Sequence, residues 1–406
     1  MAVDTPPDTS SEPRLRLPPS IWALGFVSMF MDISSEMIHA LLPIYLATVL
    51  GASTLAIGFI EGVAEATANI TKIFSGALSD WLGRRKFLTA LGYGLAALTK
   101  PIFPLAATVG WVAAARFIDR IGKGVRDAPR DALVADLTPA NLRGAGFGLR
   151  QALDTIGAFA GPLAAIALMA LTSDNFRLVF WIAVIPAFVA LAIMIFAVKE
   201  PARRAADARP PLRLADAKGL SGHFWTVVGV ATISTLARFS EAFLILRAQN
   251  VGLPVALAPT VMVVMNIVYA VGAYPAGALS DRIGRVGLLA VGMACLIVAD
   301  LILALGPTVM LTMLGVVFWG LHMALTQGLF ASLVADTAPE EMRGTAFGIF
   351  NFAGGLAMLA ASVVAGGLWN IYGPTASFLA GAAIAVVALI GLGLSHRRVA
   401  VTRSPQ

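Results

Sequence analysis

Residues 116–136 read RFIDRIGKGVRDAPRDALVAD, a run whose ionisable side chains return at helical spacing. At about 100° per residue, Arg116, Arg120, Lys123, Asp127 and Arg130 share one helix wall, with Asp119, Arg126 and Asp131 at its edges. Asp119–Lys123 and Lys123–Asp127 are four apart and can pair. Five bases against three acids still leave positive charge for another acid, or an anionic substrate, to answer. Three further sets could supply it. Asp32, Glu36 and His39 share a face, as do Glu61, Glu65, Asn69 and Lys72, and Arg150 lies one turn from Asp154. Buried carboxylates beside cations are suited to taking up and releasing protons, because burial raises and a nearby cation lowers the affinity for the proton. Asp32, Glu36 and Asp154 fit that role best, followed by Glu61 and Glu65. Arg116, Asp119, Arg120, Lys123 and Arg150 are the expected lining of a binding chamber. Arg238, Glu241, Asn266, Tyr269, His322, Gln327 and Asn351 are sparse polar points among Phe, Met and Trp, and of these Arg238, Glu241, His322 and Asn351 are expected to touch substrate.

Other chemistry fails on spacing. No nucleophile, base and orienting group can be assembled, so no catalytic residues and no enzyme are expected. RIGKGVRD lacks the residues around its lysine that a phosphate-binding loop needs. Three ligands on one helix rarely converge on a metal, and Cys295 is the single cysteine, so neither a metal site nor a cofactor is expected.

The elements that must position these groups follow from composition. Of 406 residues, 58% are hydrophobic and 13% charged, with mean hydropathy +0.83; a soluble domain carries about 25% charged residues. Apolar stretches fall at 20–48, 54–79, 87–106, 109–136, 144–172, 177–198, 223–250, 255–280, 287–306, 309–336, 344–368 and 373–395. Each approaches the roughly 20 residues needed to cross a bilayer, which predicts an all-α integral membrane protein of twelve spans. The charged, proline-bearing segment 200–222 divides two six-helix bundles, 19–199 and 223–395, and the tails are 1–18 and 396–406. The first tail has prolines and acids where a secretory signal needs bases and an apolar run, so it is expected to be retained.

Charge placement sets the orientation. Eighteen of the 29 Lys and Arg residues fall in the tails, the central segment and the loops on one side, against Arg177 alone on the other. Both tails are therefore expected in the cytoplasm, and the pI near 9.8 reads as an orientation signal, with no nucleic acid partner. The remaining ten bases lie inside spans, where each costs about 2.5–3.5 kcal/mol at mid-bilayer unless it faces protein or water.

The halves are copies. GALSDWLGRR (76–85) recurs as GALSDRIGR (277–285), and ALVADLTPANLRGAGFG (132–148) as SLVADTAPEEMRGTAFG (332–348). Aligned at a spacing of 200, Arg116, Asp119, Arg120 and Lys123 face Val316, Trp319, Gly320 and Met323, so the scaffold itself does not ask for ions there.

Gly76, Asp80, Gly83, Arg84 and Arg85 resemble the loop motif G-x-L-x-D-x-x-G-R-K/R of the major facilitator superfamily, repeated with Asp281 and Arg285 in the second half. The resemblance covers essentially the whole chain. It implies two pseudo-symmetric six-helix bundles around a midplane cavity that rock to give alternating access. It also implies a gating role for these loop residues and for Asp136, Arg143, Asp336 and Arg343. Gly148, Gly157, Gly161 and Pro162 are similar to the span-five motif of the family's proton-coupled exporters, although Ala165 and Ile166 replace its terminal glycines. Arg116 sits where another family motif has its arginine, but Asp119-Arg120 replaces the expected Gln-Gly, which points to a substrate more polar than a greasy drug. The implied function is proton-coupled efflux of a small organic, charged or polar, molecule by a monomer in a bacterial cytoplasmic membrane. A proton-coupled importer of an organic anion, or an exporter of a metal cation or chelate, would use the same fold.

Overall fold

The computed structural model describes residues 17–139, 142–199, 219–339 and 342–402. They form twelve long helical segments, called spans one to twelve. Span one is Pro19–His39, prolonged by Leu42–Ile44 and the π-helical Tyr45–Val49. Span two is Thr54–Leu82, span three Arg85–Thr99 with Ile102–Leu105, span four Val109–Leu137, span five Arg143–Leu171 and span six Phe176–Phe196. Span seven is Gly222–Ala237 with Ala242–Asn250; spans eight to twelve are Thr260–Ile283, Arg285–Leu305, Val309–Thr337, Arg343–Tyr372 and Pro374–Thr402.

Local chemistry explains the ends. Ser53, Asn175, Ser221 and Thr308 accept hydrogen bonds from the first-turn amides of spans two, six, seven and ten. Gly83 and Gly284 close spans two and eight at positive φ, 62° and 86°, a conformation that a Cβ disfavours. Nine described helices are apolar and long enough to cross a bilayer. Spans two, three and four are not among them, because two and four carry the ions and the main helix of three has 15 residues. Span twelve continues as helix to Thr402, so the segment expected as a tail from 396 begins helical. The tail 1–16 and the segment 200–218 lie outside the described residues.

Span one packs against spans five and six, span three against four, and four against two; nine, ten and twelve pack together, as do eight and ten. The halves meet where span two lies on span eleven and span five on span eight, and the second helix of span seven also packs on the ends of spans one and two. At the end away from the termini the halves share one core, in which Leu41, Tyr45 and Phe180 meet Phe239, Phe243 and Trp319 in a single apolar cluster. At the end bearing the termini each half keeps its own core: Leu24, Val27, Met31 and Tyr93 in the first, Phe224, Val334, Leu289 and Phe330 in the second. The two bundles thus share a core at one end and keep separate cores at the other, with span two still touching span eleven at Ile73 and Gly348.

Candidate functional site

The ionic wall of span four meets acids from the neighbouring spans. Arg116 Nη2 lies 2.8 Å from Glu61 Oε2 and Arg120 Nη1 3.5 Å from Glu65 Oε1, so span two supplies the answering charge. Asp119 does not take Lys123 as its partner. Its Oδ1 accepts from Lys100 Nζ at 2.9 Å, and its Oδ2 lies 3.4 Å from Arg120. Asp127 takes Arg130 at 3.6 Å and Arg126 at 3.9 Å, and the Arg126 guanidinium covers the Tyr93 ring at 4.6 Å. Helical spacing predicted i,i+4 pairs through Lys123; the helix packs so that cations on spans three and four reach these acids first.

Span one contributes the rest. His39 bridges Glu36 at 3.6 Å and Glu61 at 3.5 Å. Toward the termini the chain of ions continues, with Arg150 between Asp131 at 3.7 Å and Asp154 at 3.9 Å. Asp32 and Asp154 lie on facing helices at the span one–span five contact: a Cβ on Gly157, three residues from Asp154, would sit 2.9 Å from Asp32 Cβ. The helices come this close because span five presents glycines: a Cβ on Gly157 would lie 2.5 Å from Met29 O, and one on Gly161 2.7 Å from Glu36 Cβ.

A cavity of about 340 Å³ lies between the halves, and its wall belongs mostly to the second. Arg238, His322 and Asn351 line it with Thr235, Gln327 and Phe330, while Glu65 and Asn69 are its contribution from span two. Glu65 therefore belongs both to the cavity and, through Arg120, to the ionic network. Arg116, Asp119, Arg120, Lys123 and Arg150 are not in its lining, and Glu241 stands behind Arg238 at 3.9 Å. Arg238 and Glu241 occupy the break in span seven, where the helix stops at Ala237 and restarts at Ala242. His322 Nδ1 is 2.9 Å from Gly292 O, so Nδ1 is the donor and Nε2 is left as an acceptor. Sequence reasoning misses Ser234, Thr235 and Thr326, since small hydroxyl residues in helices carry no distinguishing spacing. Among the described residues no group of three His, Cys, Asp or Glu is placed to hold a metal ion.

The loop residues show the repeat in three dimensions. Arg85 Nη1 donates to Asp136 Oδ2 at 2.7 Å and to Ala132 O at 3.2 Å, and Arg285 forms the same ion pair with Asp336. Both pairs tie neighbouring spans of one half at the end bearing the termini. Arg84 is the extra residue of the first copy, which is why the two motifs are 201 apart while the helices after them are 200 apart. A Cβ on Gly76 would touch Ala128 Cβ at 3.4 Å. The side chains of Asp80, Arg143, Asp281 and Arg343 lie outside the described residues.

Two duplicated helical bundles closed at one end over a polar cavity, with ionic groups buried in one of them, have the architecture of a membrane transporter. A profile described as Major Facilitator Superfamily matches residues 24–362 and again 227–405, the second match starting in span seven as a duplicated half requires. The chain belongs to the major facilitator superfamily. It is 32% identical over 390 residues to an uncharacterized MFS-type transporter of Methanocaldococcus jannaschii, covering 93% of this chain and 95% of that one. In structure it is similar to a point mutant of the nucleoside transporter NupG, with a TM-score of 0.79 at 15% identity, 93% of this chain and 99% of that one. It is also similar to a bacterial homolog of the human lysosomal transporter Spinster in an inward-facing and occupied conformation, with a TM-score of 0.76 at 18% identity, 93% and 96% of the chains. The protein is a multi-pass membrane transporter with the fold of this family.

Proposed function

We propose that this transporter couples outward movement of a small, polar organic molecule to inward movement of protons. The observation that carries the reading is the tight span one–span five contact, which brings Asp32 and Asp154 to facing helices with Arg150 3.9 Å from Asp154. A proton arriving there removes a negative charge that holds span four's cations, and a proton leaving restores it. Arg120 and Glu65 carry that change of charge to the cavity wall, where Arg238, His322 and Asn351 meet substrate. The glycine-mediated approach of span five to span one supports export, because it is the part of the chain that is similar to proton-coupled exporters. The charge asymmetry supports termini in the cytoplasm, and on that orientation the separate cores at the terminal end and the shared core opposite support an inward-open state.

The test is flux in proteoliposomes, after thermal-shift screening of nucleosides, organic anions and cationic dyes has supplied a substrate. D32N or D154N abolishes transport driven by a pH gradient while substrate-for-substrate exchange survives. Loss of both activities together would refute coupling at this pair. Arg238 in the cavity wall favours a second reading, import of an organic anion with protons. Right-side-out vesicles with an acidic exterior accumulate substrate on that reading and expel it on the first.

A further inference from the structure

Asp300, on span nine, is fully buried, at 0% exposure, and neither carboxyl oxygen has a hydrogen-bond partner. Its surroundings are packed and apolar. A Cβ on Gly381 of span twelve would sit 2.6 Å from Asp300 Oδ2, with Ala237 O and the Phe239 ring both 3.2 Å from the same point. A cavity of about 70 Å³ beside Phe239 and Gly381 is walled largely by alanine, leucine and valine. An ionised carboxylate in such a place would forfeit its hydration with nothing in return, so the group neutralises instead.

The repeat shows what the position is for. Asp300 follows Lys100 by 200 residues, and Trp319 follows Asp119 by the same number, the offset that lays Arg285–Asp336 on Arg85–Asp136. In the first half Lys100 Nζ donates to Asp119 Oδ1 at 2.9 Å and to Ser35 Oγ at 3.0 Å, a permanent charge pair. In the second half the cation has become an acid and the acid an indole. Trp319 Nε1 is likewise buried without a partner. A site built for two opposite charges therefore holds one ionisable group, and only a proton can make it neutral.

The other titratable groups on the packed elements are few. On span seven His223 is exposed at the far end of the helix, Arg238 faces Glu241, and Arg247 donates to the carbonyls of Leu303 and Gly306 and to Asn250. On span ten His322 is held by Gly292 O, and Asp336 by Arg285 of span nine. Span eight offers Tyr269, span nine Cys295, and span twelve has no titratable residue between 374 and 394.

We propose that Asp300 is a proton-binding site of the second half, occupied in this conformation and emptied when span seven moves off spans nine and twelve. Phe239 and Ala237, in the last turn and break of span seven, are its lid, so the site is wetted only in the opposite state. Linkage fixes the sign: a group that must be protonated here and can ionise there makes rising pH draw the protein out of this conformation. The idea rests on alternating access but not on the Asp32–Asp154 pair, and the two fail separately.

The test needs no substrate. Spin labels replace the exposed Trp81 and Leu279, near the terminal ends of spans two and eight, in a Cys295→Ser background. Distances are measured in nanodiscs from mildly acidic to alkaline pH, with D32N/D154N present to silence the other pair. The expected result is a shift to shorter separations as pH rises, and loss of that shift in D300N, whose amide mimics the protonated acid. A D300N protein that shifts like its parent, or a parent that does not shift, overturns the proposal. Should D300N fail to fold, infrared spectra of the D32N/D154N parent carrying carboxyl-labelled aspartate decide. A labelled acid carbonyl band present at neutral pH and lost at alkaline pH supports the site, and uniformly ionised aspartate at neutral pH overturns it.

Discussion

Glu61 and Arg116 join spans two and four at 2.8 Å with side chains 1% and 3% exposed, so the pair separates what the ions do for folding from what they do for transport. At an effective dielectric of about 20, charges this close attract by about 6 kcal/mol, most of it offset by the hydration both groups gave up on burial. Arg116→Met alone leaves Glu61 with only His39, 3.5 Å away, and should destabilise by about 3–5 kcal/mol, an uncompensated buried charge. E61M alone leaves Arg116 with Asp119 at 4.0 Å and should cost somewhat less. E61M/R116M removes both charges, as the second half does with buried Val316 and Met262, and should recover to within about 1–2 kcal/mol of the parent. Denaturation of the four proteins in one detergent gives the cycle, and exchange in proteoliposomes gives the function. Two single losses that merely add would refute the claim that this is one interacting pair. A double variant that is as stable as the parent and still transports with its normal pH dependence would show the pair to be structural, removing Glu61 from the proton-coupling candidates.

Gly58→Ala places a Cβ 2.2 Å from Ser362 O, a backbone atom that cannot step aside, so the closed end should be forced apart; distance measurements should show the population moving to the opposite state, with a stability loss of about 1–3 kcal/mol. Arg85→Ala and Arg285→Ala each break a partly exposed pair and should cost under about 1 kcal/mol in thermal denaturation while changing the exchange rate, and equal effects of the two would follow from their equivalent geometry. His322→Phe removes an acceptor from the cavity wall and frees Gly292 O, so substrate affinity in thermal-shift titration should fall about tenfold, the scale of one hydrogen bond, while Asn351→Leu should act on binding without disturbing span nine.

The fold was legible because two of its signals are one-dimensional. Apolar length gives the spans, and repeated motifs give the halves, down to the single-residue difference that leaves Arg84 without a counterpart. Helical spacing also picked out ionic residues that the structure brings into one network, but it pairs only groups on one helix. Asp119 could have gone to Lys123; that it goes to Lys100 depends on how span three lies against span four, which no pattern within either span records. The cavity was legible only in part. Ions draw attention to the first half, whereas the open space lies against the second, where Arg238, His322, Gln327 and Asn351 stand out as polar points but Ser234, Thr235 and Thr326 are ordinary in sequence. Asp300 was visible as the one acid in span nine, and only the repeat and its burial turn it from a stray charge into a site.

The distribution of these interactions also says where the molecule can move. Within the first half, pairs such as Lys100–Asp119 and Arg116–Glu61 are buried, and separating either would cost about 3–5 kcal/mol, so spans two, three and four travel as one body. Between the halves no ion pair is recorded among the described residues. Contact there is made by apolar side chains and by small residues, with Thr54 Oγ1 donating to Gly366 O at 3.2 Å and Asn266 Nδ2 to Ala158 O at 3.3 Å. Each such hydrogen bond contributes only about 1 kcal/mol net. The softest surface in the protein is therefore the seam between the bundles. A displacement that opens the end now closed and lifts the break in span seven off spans nine and twelve would bring water to Asp300, while the first half, moving as one body, leaves Lys100–Asp119 dry. The matching positions share a backbone plan but not a chemistry: Lys100–Asp119 is a buried ion pair, whereas Asp300 and Trp319 leave one acid with no partner but the proton we propose for it.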